Sequence, residues 1–197
     1  MVTVFSRLRA VLAALLLGSL VAGCGVNTIP TLDEQVKGSW SEVQNQYQRR
    51  AELIPNLVET VKGFAAQERE TLTAVVEARA KATSINVNTD QLSDPAAIER
   101  FQQAQEQLSG ALGRLLAVTE NYPELKSNQN FLALQSQLEG TENRIAVARR
   151  DYIQTVQTYN TEVRTFPGRL WAWIYGAEPK AAFATSEQNQ TAPKVQF

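Results

Sequence analysis

Apolar side chains in this 197-residue chain return every three or four positions along three long stretches, a period that admits few architectures. Val36, Trp40, Val43, Tyr47, Ile54, Val58, Val61, Ala65, Leu72 and Val75 form the first stripe, with gaps in phase near Ala51 and Glu68. Ile98, Phe101, Gln105, Leu108, Leu112, Leu115 and Thr119 form the second, mostly apolar with polar interruptions. Phe131, Leu134, Leu138, Thr141, Ile145, Ala148, Tyr152, Val156, Tyr159, Val163 and Phe166 form the third, at close to heptad spacing. No stretch alternates as a half-buried strand would, and no fixed-period repeat occurs. The predicted fold is all-α: an elongated up-and-down antiparallel helical bundle with three or four main helices.

The number of helices turns on Pro55, which falls inside the first stripe. A proline there removes one backbone hydrogen bond and clashes with the carbonyl four residues back. The apolar phase continues through it, Ile54 is a poor cap, and no glycine nearby permits a reversal, which favours one long kinked helix over residues 33–84. Such a helix would be about 78 Å long. Its first half would project beyond the shorter second helix and seek a partner, so a homo-oligomer is the expectation on that reading. A sharp turn at Pro55 would instead give a closed four-helix bundle. The remaining boundaries follow from turn chemistry. Residues 24–32 read as a tether, 33–183 as the bundle, and 184–197, rich in Gln, Thr and Ser, as a disordered tail. Asn86 to Asp94 is a loop, Asp94-Pro95 an N-cap followed by proline at the first helical position, and Asn121-Tyr122-Pro123 a stop. Pro167-Gly168 ends the last long helix.

The N-terminus carries an address. Arg7 and Arg9 precede an apolar run from Ala10 to Leu20, too short for the about 20 residues a membrane-spanning helix needs. Its length and flanks match a signal peptide over residues 1–23. Val21-Ala22-Gly23-Cys24 resembles the lipobox of bacterial lipoproteins, in which cleavage between Gly23 and Cys24 exposes the cysteine for acylation. Acyl chains bury at about 0.8 kcal/mol per CH2, so two or three hold a protein on a membrane almost permanently. The expected location is a membrane surface facing the periplasm or another extracytoplasmic space. Gly25, where an Asp would resemble an inner-membrane retention signal, favours the outer membrane in a cell that has two.

Composition removes most enzyme classes. The chain has no histidine, one cysteine, and a net charge of -1 from 19 basic and 20 acidic residues. The commonest general base, the usual zinc ligand and any intrachain disulfide are therefore missing. No glycine-rich phosphate loop occurs, and the charge balance gives no reason to expect nucleic acid. No catalytic, cofactor-binding or metal-binding residue is assigned. A Ser-Lys or carboxylate hydrolase is the competing class, and a membrane-remodelling protein a third.

Several blocks resemble the LemA family of bacterial envelope proteins. They are Arg49-Arg50, Ile54-Pro55-Asn56-Leu57-Val58, Val61-Lys62-Gly63-Phe64-Ala65, Tyr122-Pro123-Glu124-Leu125 with Asn130-Phe131, Leu134-Gln135 through Leu138-Glu139, Thr141-Glu142-Asn143-Arg144-Ile145-Ala146, Ala148-Arg149-Arg150, Tyr159-Asn160 and Phe166-Pro167. The resemblance spans roughly residues 33–176. It implies an elongated helical bundle outside the cytoplasmic membrane and no known reaction. Many members begin with a transmembrane helix where this chain has a lipobox, so their topology does not transfer.

The function expected is that of a lipid-anchored, non-enzymatic interaction or scaffold module, with the membrane and another envelope protein as partners. Trp171, Trp173 and Tyr175 are the candidate docking surface, because a helix spreads them over different faces and one core cannot bury all three. The competing reading has this segment cap the bundle. Glu68 and Arg149 are candidates for a buried polar pair, with exposure at the rim the alternative. Arg49-Arg50 and Arg149-Arg150 are candidate headgroup ligands, against solvated faces beside Glu52, Asp151 or Glu142. Gly63 is expected to lie under a close helix crossing, with a flexible point near a partner the alternative.

Overall fold

The computed structural model describes residues 25–184, and within them six α-helices, one short 3-10 turn and no strand. The expected signal peptide over residues 1–23, the expected lipidation site Cys24 and nearly all of the expected tail lie outside the described residues. Helix α1 (Thr28–Phe64) begins inside the stretch read as a tether. Pro30 sits in its first turn, where a helix has no use for the missing N–H, and Ile29 is already buried. The helix then runs unbroken through Pro55 and is about 55 Å long at 1.5 Å per residue.

The reversal comes at Ala65–Glu68, so neither a helix over residues 33–84 nor a turn at Pro55 is formed. Ala65 closes α1 by donating to the Val61 carbonyl, and α2 (Arg69–Ser84) folds back along it. Nothing local forces this turn; Ala, Gln and Glu are good helix formers. A distant residue holds it: the Tyr122 hydroxyl donates to Glu68 Oε1 at 2.8 Å and accepts from Gln67 Nε2 at 2.9 Å.

A 3-10 turn (Thr89–Ser93) leads to α3 (Pro95–Thr119), capped by Asp94, whose carboxylate accepts from the Ala96 amide. The one-turn α4 (Pro123–Lys126) crosses the end of the bundle. Asn128 then caps α5 (Gln129–Arg164), accepting from the amides of Asn130 and Phe131. Long-range contacts fix the directions. Trp40 meets Tyr152 and Arg50 meets Glu142, so α5 lies antiparallel along the whole of α1. The first half of α1 is therefore covered and does not project. Arg79 reaches Ala51, and Lys81 reaches Gln107, making α2 antiparallel to both α1 and α3. The four long helices run up, down, up and down.

Every member of the first two stripes is buried, including Gln105 and Thr119, and so are all of the third except half-buried Leu134 and exposed Phe166. The core has two parts. One gathers Trp40, Tyr47, Phe101, Tyr152 and Tyr159 with Phe183; the other gathers Ile54, Leu57, Leu108, Leu115, Leu125 and Phe131. Arg50 lies between them, 1% exposed.

Candidate functional site at the aromatic end of the bundle

Where α1 starts and α5 stops, the chain turns at Pro167 into α6 (Gly168–Tyr175). The turn requires glycine at its first position: a Cβ on Gly168 would lie 2.3 Å from the Glu162 carbonyl oxygen. Gly176, at φ 62°, closes α6 in the left-handed conformation. Between these two glycines α6 buries Ala172 in the core.

The three aromatic residues of α6 do not share a face. Trp171 packs against the core and against Gly25, where a Cβ would lie 3.0 Å from the indole Nε1. Tyr175, one turn later, donates its hydroxyl to the Val26 carbonyl at 3.1 Å. These two hold the start of the described chain. Trp173 points away and is 80% exposed. Leu170 and Ile174 stand beside it at helical spacing, exposed as well, and Phe166 is 85% exposed. Of the ten large apolar side chains exposed among the described residues, five fall within 166–175, which makes this the apolar end of the molecule. The helix thus caps with one side and leaves the other bare.

Residues 177–184 form a strap that no periodicity announced. The Asn160 amide brackets Lys180, donating to its carbonyl and accepting from its N–H, both at 2.8 Å. The Ala181 amide donates to the Leu92 carbonyl, its carbonyl accepts from the Tyr152 hydroxyl, and the Ala184 carbonyl accepts from Gln102. Ala184, read as the first residue of a loose tail, is therefore tied down. Phe183 enters the core between Trp40 and Tyr152, with the Arg149 guanidinium 4.6 Å from its ring centre. Lys180 Nζ lies 3.2 Å from Asp33 on α1. Burial pushes the Tyr152 phenol far above its ordinary value, and raises Tyr159 and Tyr47 as well. For Asp33, burial alone would raise the carboxyl, but hydrogen bonds from Lys37 and Lys180 outweigh it and hold it below 3.8.

Several expected roles are relocated. Arg50 is neither a headgroup ligand nor on a solvated face; it donates to Glu142 Oε1 at 2.8 Å, Ser109 Oγ at 2.7 Å and Gln105 Oε1 at 2.7 Å. Its position three residues after Tyr47 and four before Ile54 fills the gap in the first stripe. Arg49 and Arg150 are exposed, and Arg150 pairs with Asp151. Glu68 and Arg149 are not a pair: one meets Tyr122 at the α1–α2 turn, the other Phe183. No helix crosses near Gly63, where an added Cβ would meet nothing within 4 Å.

The open grooves differ in lining: one of about 480 Å³ beside the strap gathers Asp33, Glu34, Lys37, Ser93, Glu178 and Lys180, and two others gather few ionisable groups. One, of about 300 Å³, lies among Gln44, Gln48, Ile85, Asn86 and Gln105. Another, of about 460 Å³ between α3 and α5, is floored by Leu112, Leu116 and Leu138 with Glu139 and Glu142 at its edge. Among the described residues no group of three or more His, Cys, Asp or Glu is placed to hold a metal ion, and no helix is long and apolar enough to cross a membrane.

An up-and-down bundle of four long helices, closed at one end by a short aromatic helix and a C-terminal strap, defines the structural class. The chain belongs to the LemA family, whose profile matches residues 39–197. It is 30% identical over 181 residues to magnetosome protein MamQ 2 of Paramagnetospirillum magneticum, an alignment covering 84% of this chain and 66% of that protein. Magnetosome protein MamQ of Magnetospirillum gryphiswaldense is 27% identical over 166 residues, covering 76% and 61%. Protein LemA of Metamycoplasma hominis is 23% identical over 132 residues, covering 67% and 56%. The chain thus spans two thirds or less of the length of these curated relatives.

Proposed function

We propose that this protein is a non-enzymatic scaffold of the bacterial envelope, held on a membrane by acyl chains on Cys24 and offering its bundle to another envelope protein. One observation carries the reading: Gly25, the residue after the lipobox-type Cys24, is packed against Trp171 at the apolar end of the bundle. Successive Cα atoms are about 3.8 Å apart, so an anchor on Cys24 leaves the molecule at that end. A membrane there would hold the helices by one tip and leave the rest of a rod about 55 Å long free for contact. Family membership supports an envelope protein. The absence of histidine from the sequence, and the use of Asp33, Glu68 and Glu142 in internal pairs, support a structural rather than a catalytic use of the polar groups.

Labelling cells with a fatty-acid analogue tests the anchor. The wild-type protein is expected to incorporate it, and Cys24→Ser to accumulate as an unlabelled precursor. Normal labelling of Cys24→Ser would overturn the reading, because Cys24 is the only cysteine in the chain. Crosslinking in intact cells, read by mass spectrometry, then identifies the partner.

A further inference from the structure

Phe166 and Trp173 are 85% and 80% exposed and Leu170 and Ile174 about half exposed, while their neighbours Gly168, Trp171 and Ala172 close the bundle. Leu170, Trp173 and Ile174 stand at positions i, i+3 and i+4 of α6, which puts them on one side of that helix. Phe166, 85% exposed, lies two residues before the start of this helix. Soluble surfaces rarely gather so many large apolar groups in so few residues unless something covers them. Arg164 and Arg169, both exposed, flank the cluster along the chain. Tryptophan beside arginine is the composition favoured in the headgroup layer, where an indole has one apolar and one wet side and a guanidinium meets phosphate.

Position identifies the occupant. The opposite side of the same helix grips Gly25 and Val26, through Trp171 and the Tyr175 hydroxyl. The chain outside the structure therefore leaves from the helix that bears the apolar face, one bond from Cys24. We infer that Phe166, Leu170, Trp173 and Ile174 form a membrane seat: they enter the interfacial layer of the bilayer that holds the N-terminus and fix the bundle's angle to it. The inference rests on the Cys24 anchor proposed above. A lipid on a slack tether would leave the bundle free to tumble. A short link clasped by Trp171 and Tyr175, with an apolar face beside it, gives a second, weaker attachment in register with the first.

The experiment uses the mature full chain purified from membranes and reconstituted into vesicles of phosphatidylethanolamine and phosphatidylglycerol, with or without bromine on the acyl chains. Bromine quenches tryptophan only where lipid reaches it. Trp40 is buried, so the expected loss of emission is about a third, the share of one tryptophan in three. Trp173→Phe, a change at an exposed position, is expected to abolish most of that loss while leaving the melting curve unchanged. Emission that bromine leaves intact overturns the seat, and so does Trp173 becoming shielded only when a purified protein partner is added. Intact mass, read separately, reports the anchor. A mature chain without acyl groups whose Trp173 is still quenched overturns the anchor and keeps the seat; an acylated chain with unquenched Trp173 does the reverse.

Discussion

Arg79 of α2 donates its Nε–H to the carbonyl of Ala51 in α1 at 2.7 Å. Ala51 is the residue four before Pro55, so its carbonyl is the acceptor that the proline leaves without a helical donor. A side chain from the neighbouring helix replaces the missing N–H, and a buried acceptor that would otherwise cost about 1–3 kcal/mol is paired. This bond explains how α1 passes through a proline, and it fixes the level at which α2 lies along α1.

The pair should be coupled in a double-mutant cycle. Arg79→Met is expected to destabilise the protein by about 1–3 kcal/mol in urea unfolding, because the Ala51 carbonyl loses its partner. In a Pro55→Ala background the new amide supplies the bond, and the same change should cost at least about 1 kcal/mol less. Equal costs in both backgrounds would show that Arg79 acts through packing alone.

Arg50 should be among the most sensitive positions in the chain. Arg50→Ala takes the donor from the buried Gln105 Oε1 and empties a site that is 1% exposed, with an expected loss of about 2–5 kcal/mol. Glu142→Gln keeps an acceptor on a side chain that is 45% exposed, and is expected to cost less than about 1 kcal/mol. Replacing Arg50 and Gln105 together by Met and Leu should recover much of the Arg50→Ala loss, since apolar groups of similar volume need no partners. Thermal and urea denaturation read all three.

The strap should come away piecewise. Phe183→Ala removes a ring packed between Trp40 and Tyr152, at a cost of about 3–5 kcal/mol. Tyr152→Phe deletes only the hydroxyl that donates to Ala181, at about 1 kcal/mol. Amide hydrogen exchange gives the signature: in Phe183→Ala the Lys180 and Ala181 amides should lose protection while those of Leu57 and Leu108 in the other half of the core keep theirs. Uniform loss of protection would mean that the two halves unfold as one.

Acid should loosen the strap through Asp33. This carboxylate faces Lys37 on its own helix, Lys180 on the strap and Tyr159 on α5. Its folded value lies below the ordinary 3.8, so it contributes stability that is complete above that value and is lost as pH falls through the lower, folded one. Between neutral pH and about pH 4, Asp33→Asn should therefore lower stability by a constant amount, and the gap from wild type should close at still lower pH. A gap that stays constant down to pH 2 would show that the ion pair has no part in it.

How far each feature could be read in advance depended on where its cause lies. Helix content, the three buried stripes, the Asp94-Pro95 cap and the stop at Pro167-Gly168 follow from side-chain period and backbone chemistry within a few residues, and the sequence determined them. Even Gln105 and Thr119 lie buried where their phase puts them. The tertiary structure decided the rest. The chain reverses at Ala65–Glu68, among good helix formers, because folding back buries Leu72, Val75 and Ala82 in the core, and Tyr122 from another part of the chain then holds Glu68 and Gln67. Pro55 interrupts nothing because Arg79 supplies its lost bond. Residues 177–184 carry no period, so only the groups they meet on Asn160, Tyr152 and Leu92 give them a fixed path. Trp171 and Trp173, alike and two residues apart, separate into a packed and a bare side chain according to what lies beneath each. Local preferences fix which residues can share a helix face; which faces meet, and which one is left uncovered, is a property of the whole assembled bundle.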